Sequence, residues 1–272
     1  MKDLHYSLAL PRAAQVDVQP TKLSIAYSVP TSSGSTRPSK KSSAAPKNGV
    51  REAAASATKG RILKAATKVF AKHGYDGGSI EKIAKAAGVF DRMIYYYYGS
   101  KEGLFIAVLE GVYKQMDEAE SELQLDLEQP VEALLTVVRF VRNHYRKHPE
   151  FVRLLNTENL HKGKHISKFP ESQRLSSTAV SVVDALLMSG VQQGLFRADL
   201  RARDVYVMIA AMGFFYESNR YTLSAFLGEA LDRPETSADW ERFMMEAVFR
   251  MVSVPPADFA AMARSSPVLL AR

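Results

Sequence analysis

The stretch SIEKIAKAAGVFDRMIYYYYGSKEGL, residues 79–104, decides the fold of this 272-residue chain. Ser79 is a residue type that caps helix N-termini by accepting a backbone N–H bond, and apolar residues follow it at three- and four-residue spacing. Gly88 ends this helix, and a new apolar period begins at Asp91 after a short turn through Phe90. Helix, glycine turn and helix in this order predict a helix-turn-helix.

A further helix precedes this stretch. From Lys59 onward, small and branched apolar residues recur on one helical face, and Gly74 supplies a stop. Together with the two helices above, this gives a small unit of three helices.

The third helix of that unit is predicted at Asp91–Tyr98. Its i,i+4 spacing sets Arg92 and Tyr96 in one stack, which leaves the opposite stack free to pack. We predict that Tyr95 and Tyr98 pack, so that one side of the helix is buried and the other makes contacts.

This unit resembles the DNA-binding domain of the tetracycline-repressor (TetR) family over residues 59–105. The residues at the family's spacing are Ile83-Ala84, Ala87-Gly88-Val89, Tyr95, Tyr97, Ser100-Lys101-Glu102 and Leu104. The resemblance implies an all-α fold: an N-terminal three-helix helix-turn-helix DNA-binding domain, then a larger helical ligand-binding and dimerisation domain. One departure is Phe90, which replaces the family's usual Ser or Thr cap, so we expect Asp91 to cap the helix instead.

The recognition helix of such a domain points its N-terminal residues at base edges in the major groove. This places Asp91, Arg92 and Met93 at the bases. Arg92 is the best candidate for specificity because a guanidinium can donate two hydrogen bonds to guanine O6 and N7. Its alternatives are a phosphate contact or an intrahelical pair. Tyr96 and Tyr97 have hydroxyls able to bind phosphate, and the first can also touch a thymine methyl.

Two further residues are candidates for the DNA backbone. Lys101 begins the next helix, where a cation and a helix N-terminus both favour phosphate. Ser79 is expected both to cap its helix and to touch a phosphate.

The charge distribution agrees with a polyanionic partner. The net charge of +7 divides into +5 for residues 1–58 (eight basic, three acidic), +5 for 59–105 (nine basic, four acidic) and −3 for 106–272 (nineteen basic, twenty-two acidic). Basicity in the first part of the chain favours a nucleic-acid contact there. The alternative is that scattered lysines only keep the protein in solution.

Composition and the pattern of apolar residues divide the chain into four predicted parts. Residues 28–49 are rich in Ser, Thr, Pro and Gly and lack aromatic residues, which is typical of disorder. We therefore predict a disordered N-terminal extension at 1–50, the DNA-binding domain at 51–105, the ligand-binding and dimerisation domain at 106–255 and a C-terminal tail at 256–272.

The larger domain shows helical patterns without competing strand alternation. Breaks at prolines and glycines separate helices predicted at 101–125, 131–148, 149–162, 171–193, 203–223 and 235–253.

The last two of these helices carry apolar residues on more than one side, which suits a four-helix interface with a second copy. These residues are Val205, Ile209, Met212, Phe215, Phe243, Met244, Val248 and Met251. The prediction is a homodimer on a palindromic double-stranded DNA operator; the alternative is a monomeric core.

An effector pocket is expected between the helices, since such pockets are mostly apolar with a few placed polar groups. Candidate ligand-binding residues are Tyr113, Met116, Asn156, Asn159, Met188, Met212, Phe215 and Tyr216. Residues 148–159 look like a subset of these regulators that controls the catabolism of small compounds. That resemblance implies a small-molecule effector of the aromatic or heterocyclic class.

Other functional classes find less support in the sequence. The chain has no cysteine. The pairs His144/His148 and His161/His165 have chelating spacing, but His148 precedes Pro149 at a helix end, where histidine commonly serves the carbonyl dipole, and Gly163 interrupts the second pair. No metal and no cofactor is therefore predicted. The longest uncharged apolar stretch, 205–216, is too short for a membrane span. We expect a cytoplasmic protein that is not an enzyme but a repressor released by its ligand. The alternatives are an all-helical enzyme with its active site in the C-terminal domain and an architectural DNA-binding protein without a ligand.

Overall fold

The computed structural model describes residues 22–23, 47–169 and 172–255. Helices joined by short turns make up most of these residues, which confirms the all-α class. The elements, in chain order, are β1 (Lys22–Leu23), α1 (Lys47–Gly77), α2 (Ile80–Ala87), α3 (Asp91–Tyr98), α4 (Lys101–Ser121), β2 (Leu125–Asp126), α5 (Pro130–Lys147), α6 (Pro149–Leu160), a 3-10 turn (Ile166–Lys168), α7 (Ser172–Gln192), α8 (Ala202–Leu227) and α9 (Pro234–Val252).

The helix-turn-helix is formed as predicted. Gly74 leaves helical geometry with φ 69° and ψ 179°, which interrupts α1 near its end. The hydroxyl of Ser79 caps α2 by accepting the N–H of Lys82 at 3.3 Å. Gly88 closes α2 in the left-handed region, a conformation that glycine adopts without a steric penalty, and α3 then runs from Asp91 to Tyr98 as expected.

Helix α1 is longer than the sequence pattern indicated. It begins at Lys47, upstream of the predicted start at Lys59 and inside the predicted extension. Residues 51–57 explain the difference, because they are rich in alanine, the strongest helix former, and contain no breaker.

A short strand pair brings part of the extension back to the larger domain. Strand β1 pairs antiparallel with β2, with Lys22 opposite Asp126 and Leu23 opposite Leu125. Helix α4 accordingly ends at Ser121 and not at residue 125 as predicted, since Leu125 and Asp126 belong to β2. Apart from residues 22–23 and 47–50, the predicted disordered extension lies outside the described residues, as does the predicted tail 256–272.

The core of the N-terminal helical unit, which comprises α1 to α3 and the first half of α4, holds α3 in place. Phe70 of α1, Ile83 of α2, Ile94 of α3 and Phe105 of α4 are all fully buried. The rings of Phe70 and Phe105 meet edge to face with centroids 5.1 Å apart. Because Ile94 anchors one side of α3, the other side of the helix faces outward.

A glycine sets the distance between α3 and α4. A Cβ atom at Gly103 would lie 2.3 Å from the carbonyl oxygen of Tyr98, the last residue of α3. The N–H of Gly103 donates to the hydroxyl of Ser100, which caps α4. The recognition helix and α4 can therefore approach this closely only with glycine at this position.

The larger domain is assembled from α5 to α9 together with the second half of α4. Proline occupies the first helical position of α5, α6 and α9, where its missing N–H costs nothing. The helices bury an apolar core that includes Val138 of α5, Leu186 of α7, Ile209 of α8 and Val248 of α9. In the described part of the chain, no helix is both long and apolar enough to cross a membrane.

Candidate nucleic-acid interface and effector site

The outward face of α3 is the candidate nucleic-acid interface. Asp91 and Arg92 are exposed at its first turn, Met93 is half-buried, and Tyr96 is 79% exposed. No hydrogen bond or ion pair engages the guanidinium of Arg92 among the described residues. The three side chains predicted at base edges thus lie together at the start of the helix, and the donors of Arg92 are available.

The four tyrosines at residues 95–98 are buried and exposed in a different pattern from the predicted one. Tyr95 is 51% exposed, so the prediction that it packs is wrong. Tyr98 does pack, and its hydroxyl donates to the carbonyl oxygen of Lys59 at 3.0 Å. Tyr97 is half-buried and meets Tyr96 edge to face, with ring centroids 5.0 Å apart. The helical period explains Tyr95: it follows the buried Ile94 by one residue and so turns away from the core.

Phe90 is the N-cap residue of α3 and makes no side-chain capping bond. Asp91 is the first helical residue and provides no such bond either, so the expectation that it takes over capping is wrong. The Phe90 ring is 74% exposed, and its centroid lies 5.4 Å from the Cζ atom of Arg92. The start of the recognition helix therefore presents an aromatic ring beside a guanidinium.

The two residues expected at DNA phosphates are both close to α3 but are already engaged. The Ser79 hydroxyl accepts the N–H of Lys82 and donates to the carboxylate of Glu81. The ammonium of Lys101 donates to the carbonyl oxygen of Asp76 at 3.2 Å and lies 4.8 Å from the ring centroid of Tyr75. Lys101 is half-buried by these contacts.

A buried histidine joins the DNA-binding domain to the larger domain. The Nδ1 atom of His165 lies 2.7 Å from the carboxylate of Glu158 on α6. The imidazole packs against Tyr75 of α1, at 4.6 Å between centroids, and against Phe105 of α4, at 4.9 Å. Helix α6 thus holds its following loop against both helices that support the recognition helix.

The histidine pairs have other partners than a metal. His161 Nδ1 lies 2.9 Å from the carbonyl oxygen of Thr157, and its Nε2 lies 3.4 Å from the Asp76 carboxylate. His144 is buried, and this burial, followed by the nearby His148, lowers its pKa to about 4. Over the described residues, no group of three or more His, Asp or Glu side chains is arranged to hold a metal ion.

Four of the predicted effector residues lie inside or at the edge of the larger domain. Met116 is buried, and Tyr113 packs on Phe151 with centroids 5.3 Å apart. Met212 is half-buried against the core. Asn156 lines a small pocket of about 190 Å³ between the first half of α6 and the second half of α8.

The structure does not bring the other four into a shared cavity. Asn159 and Met188 are exposed on α6 and α7, and Phe215 is exposed on α8, because each falls on the outward side of its helix. Tyr216 is buried, but its hydroxyl donates to the carbonyl oxygen of Leu231 at 2.9 Å. Its ring stacks on Trp240 at 5.0 Å, so it is a packing residue between α8 and α9.

A partly buried polar cluster that the sequence analysis missed lies next to Met116 and is formed by Tyr113, Tyr145, Tyr206 and Glu120. Burial raises the pKa of the Tyr113 hydroxyl to about 12 and raises that of Tyr145 and Tyr206 as well. Burial, and then Asp117, raises the pKa of Glu120 to about 7. None of these three hydroxyls, nor the carboxyl of Glu120, has a hydrogen-bond partner among the described residues.

The polar atoms of this cluster are not among the fully buried atoms without a partner, which in the described part of the chain are Arg142 Nε, His165 Nε2, Arg220 Nε and Trp240 Nε1. A signal was present in the sequence: Glu120 follows Met116 by four residues and so falls on the buried face of α4.

An ion pair is also buried near the candidate effector site. The guanidinium of Arg142 on α5 donates to the carboxylate of Glu217 on α8 and, at 2.8 Å, to the hydroxyl of Ser237 on α9. Arg142 also lies over the ring of Tyr216 at 5.0 Å. This pair connects three helices of the larger domain.

A larger groove lies between the two domains. It has a volume of about 550 Å³ and is formed by α1 and α4, with Leu63, Val108 and Val112 at its apolar side and Lys64 and Lys68 at its rim. None of the predicted effector residues lines it.

Two family models match the chain. Residues 62–108 match the model described as bacterial regulatory proteins, tetR family, and residues 130–248 match a tetracyclin repressor-like C-terminal domain. The first match spans the helix-turn-helix and the second spans α5 to most of α9.

Curated relatives agree with these models. The chain is 48% identical over 204 residues to the HTH-type transcriptional repressor NicS of Pseudomonas putida, covering 75% of this chain and 96% of that protein. It is 33% identical over 160 residues to the HTH-type transcriptional repressor SCO4008 of Streptomyces coelicolor, covering 57% and 76%.

Solved structures share the fold. The transcriptional regulator SCO4942 of Streptomyces coelicolor aligns with a TM-score of 0.55 and 25% identity, covering 73% of this chain and 99% of that one. The regulator FadR of Bacillus subtilis, solved in complex with stearoyl-CoA, aligns with a TM-score of 0.52 and 22% identity, covering 70% and 96%.

Proposed function

The chain belongs to the TetR family of bacterial regulatory proteins, and on that premise we propose that it is a transcriptional repressor that binds a palindromic operator as a homodimer and is released by a small-molecule effector. The observation that carries this proposal is the outward face of α3. Its exposed Arg92 has donors without an acceptor in the described chain, at the helix end that enters the major groove in helix-turn-helix proteins.

Each residue of the interface has a proposed role. Arg92 reads guanine through two hydrogen bonds, while Asp91, Met93 and Tyr96 lie over the neighbouring base edges. Tyr95 and Tyr97 bind backbone phosphates through their hydroxyls, and Ser79 and Lys101 complete that backbone contact. Lys101 would release the Asp76 carbonyl or contact phosphate with its remaining N–H groups.

The dimer interface is proposed on α8 and α9. Val207 and Phe215 of α8 and Phe243 of α9 are each more than half exposed, although they are large and apolar. Exposed apolar residues on neighbouring helices mark a surface that a partner covers. Val205, Ile209, Met244 and Val248, which the sequence analysis also assigned to this interface, are buried in the core of the chain itself.

The effector site is proposed in the interior of the larger domain, around Tyr113, Met116 and Met212. The polar groups of Tyr145, Tyr206 and Glu120 belong to the same region and would orient a bound molecule. We keep the aromatic or heterocyclic class of effector as the proposal; the FadR complex with stearoyl-CoA is an example of a protein of this fold holding a small molecule.

Release from DNA requires that the effector bind one arrangement of the domains more tightly than the other. The junction of Glu158, His165, Tyr75 and Phe105 is the proposed connection, because it joins α6 to α1 and α4. A shift of α6 would move both helices that support α3.

Protection of DNA next to the gene for this chain tests the proposal. Purified protein is added to labelled fragments from both sides of the gene, at about physiological salt and with excess competitor DNA, because non-specific binding is dominated by phosphate contacts. A protected palindrome that small aromatic or heterocyclic compounds release supports the proposal. Uniform binding that competitor removes would favour an architectural role and overturn it.

A further inference from the structure

Phe90 occupies an unusual position for a large apolar side chain. As the N-cap residue of α3 it supplies no side-chain capping bond, and with 74% of its surface exposed it contributes little to the core. Ser, Thr, Asp or Asn at an N-cap would stabilise the helix by satisfying an orphan N–H. The phenyl ring therefore gives the helix start no cap, and in the described chain it contacts the guanidinium of Arg92 instead.

We propose that Phe90 and Arg92 together read a pyrimidine that carries a C5-methyl group, followed by guanine: thymine–guanine in unmodified DNA. In this assignment the ring of Phe90 covers the methyl group in the major groove, and Arg92 donates two hydrogen bonds to O6 and N7 of the guanine. The inference rests on the proposed function and names the base step that the recognition helix selects.

The geometry of the two side chains supports this pairing. The guanidinium of Arg92 lies 5.4 Å from the Phe90 centroid, within the range of a cation–π contact. The ring thereby limits the orientations of the guanidinium before DNA is bound, which reduces the entropy lost when both hydrogen bonds form. Two adjacent base pairs stack about 3.4 Å apart along the helix axis, so side chains in contact with each other can reach neighbouring bases.

The chemistry of the two surfaces also matches. The thymine methyl is the apolar group that the major groove offers, and phenylalanine is one of the side chains that contact it. Guanine offers two acceptors, and Arg92 has donors that no described residue occupies. Asp91 lies between Phe90 and Arg92 in sequence. Its carboxylate would not oppose their contacts with the methyl group and the guanine, because it can accept a hydrogen bond from a cytosine or adenine amino group nearby.

Selection from a pool of randomised duplexes tests the inference without requiring a genomic operator. The full-length protein, the variants Phe90→Ala and Arg92→Ala, and the control Leu160→Ala are each used to enrich binding sequences. Leu160 lies on α6 and is 84% exposed, which makes its truncation a control for handling and folding. We expect the unmodified protein and the control to enrich a thymine–guanine step in each half-site, Phe90→Ala to retain guanine but lose thymine, and Arg92→Ala to lose guanine.

A second measurement isolates the methyl group. In the enriched duplex, thymine at that step is replaced by deoxyuridine, which lacks only the methyl. One methyl contact corresponds to roughly a fourfold change in affinity, and two half-sites to roughly sixteenfold. The unmodified protein should show this loss and Phe90→Ala should not. A duplex with 5-methylcytosine paired to guanine at the same position should bind more tightly than one with cytosine.

The outcomes separate this inference from the proposed function. Enrichment of a palindrome in which deoxyuridine replaces thymine without loss of affinity would overturn the role of Phe90 and leave the repressor proposal standing. Equal deoxyuridine sensitivity in the unmodified protein and Phe90→Ala would assign the methyl contact to another residue and also overturn it. Failure to enrich any sequence would overturn the sequence-specific function itself.

Discussion

The carboxylate of Glu158 is hydrogen-bonded to both the ring and the backbone of His165. Its Oε2 atom lies 2.7 Å from Nδ1, and its Oε1 atom accepts the N–H of His165 at 2.6 Å and that of Ile166 at 2.9 Å. Both side chains are buried. One carboxylate of α6 thus fixes the loop whose imidazole packs against the DNA-binding domain.

We expect Glu158→Gln to lower the free energy of unfolding by about 1–3 kcal/mol, because the amide places an NH₂ donor where the carboxylate accepts hydrogen bonds. Urea denaturation at neutral pH measures the change. Glu150→Gln is the matched control on the same helix, since the half-exposed Glu150 pairs with His148 at 3.2 Å and with no other residue of the described chain. Equal losses in the two variants would contradict the structural role of Glu158.

Replacing Arg142 tests the buried ion pair. Arg142→Met leaves the Glu217 carboxylate buried, with Arg220 at 3.2 Å as its remaining ion-pair partner among the described residues, and we expect a loss of about 3–5 kcal/mol. The double variant Arg142→Met with Glu217→Gln should recover part of it. Arg139→Met, which removes an exposed pair with Glu241 at 3.5 Å, should cost less than about 1 kcal/mol. Thermal and urea unfolding of the unmodified protein, the two single variants and the double variant measure these losses in stability.

The stability of the protein should depend on pH through Glu120. Its pKa is raised to about 7 in the folded chain, from an ordinary value of 4.5. The folded state then binds the extra proton between these values, so the free energy of unfolding falls as pH rises, by roughly 3 kcal/mol across the interval.

The glutamine in the Glu120→Gln variant cannot ionise. The free energy of unfolding of this variant, relative to that of the unmodified protein, should therefore grow by that amount between pH 4.5 and 8. His144, whose pKa is lowered to about 4, has the opposite slope below pH 6.5, but it is present in both proteins and cancels in the difference. Urea titrations at four pH values supply the comparison. A pH-independent difference would refute the raised pKa.

Two glycines of α4 should respond in opposite ways to alanine. At Gly103 the added Cβ would collide with the backbone oxygen of Tyr98, so Gly103→Ala should destabilise the DNA-binding domain and weaken operator affinity. At Gly111 the Cβ would meet Leu63 at an ordinary 3.7 Å. Gly111→Ala should therefore stabilise the helix by about 0.5–1 kcal/mol. Loss of affinity in Gly111→Ala but not in Gly103→Ala would contradict this assignment.

Charge on the exposed face of α8 should separate the proposed dimer. Phe215→Asp places a carboxylate where an apolar partner surface is expected, and desolvating an unpaired charge is costly. Sedimentation should show the mass fall from twice the chain mass to the chain mass of 30.2 kDa. Leu160→Asp, also exposed but on α6, should leave the mass unchanged. A dimer that survives Phe215→Asp would move the interface elsewhere.

The sequence predicted the recognition unit well because its signals are local. A cap residue, a left-handed glycine and an apolar period all act within a few residues, and the bounds of α3 follow from them. The prediction that Tyr95 packs was wrong although it used the same helical period. Residues 95–98 are all tyrosine, so the two sides of the helix do not differ in polarity there and the sequence does not indicate which rings face the core.

Contacts between distant segments could not be predicted in this way. Arg142 and Glu217 are separated by 75 positions, and no pattern in either helix identifies the other. The same holds for the contact of His165 with Tyr75 and for the interior cluster around Glu120. For the effector site, spacing identified helices that surround the interior, but the side of each helix that faces inward depends on the packing of the whole domain.

The stack of Trp240 on Tyr216 gives the protein a built-in optical reporter. The sequence contains one tryptophan, and its ring lies between Tyr216 at 5.0 Å and the exposed Phe243 at 5.3 Å. Indole emission excited at the red edge therefore comes from the surface of α8 and α9 alone. The wavelength and anisotropy of this emission can therefore report the association of two chains without a label. The tyrosines of the recognition helix are not excited at the red edge and do not contribute to the signal.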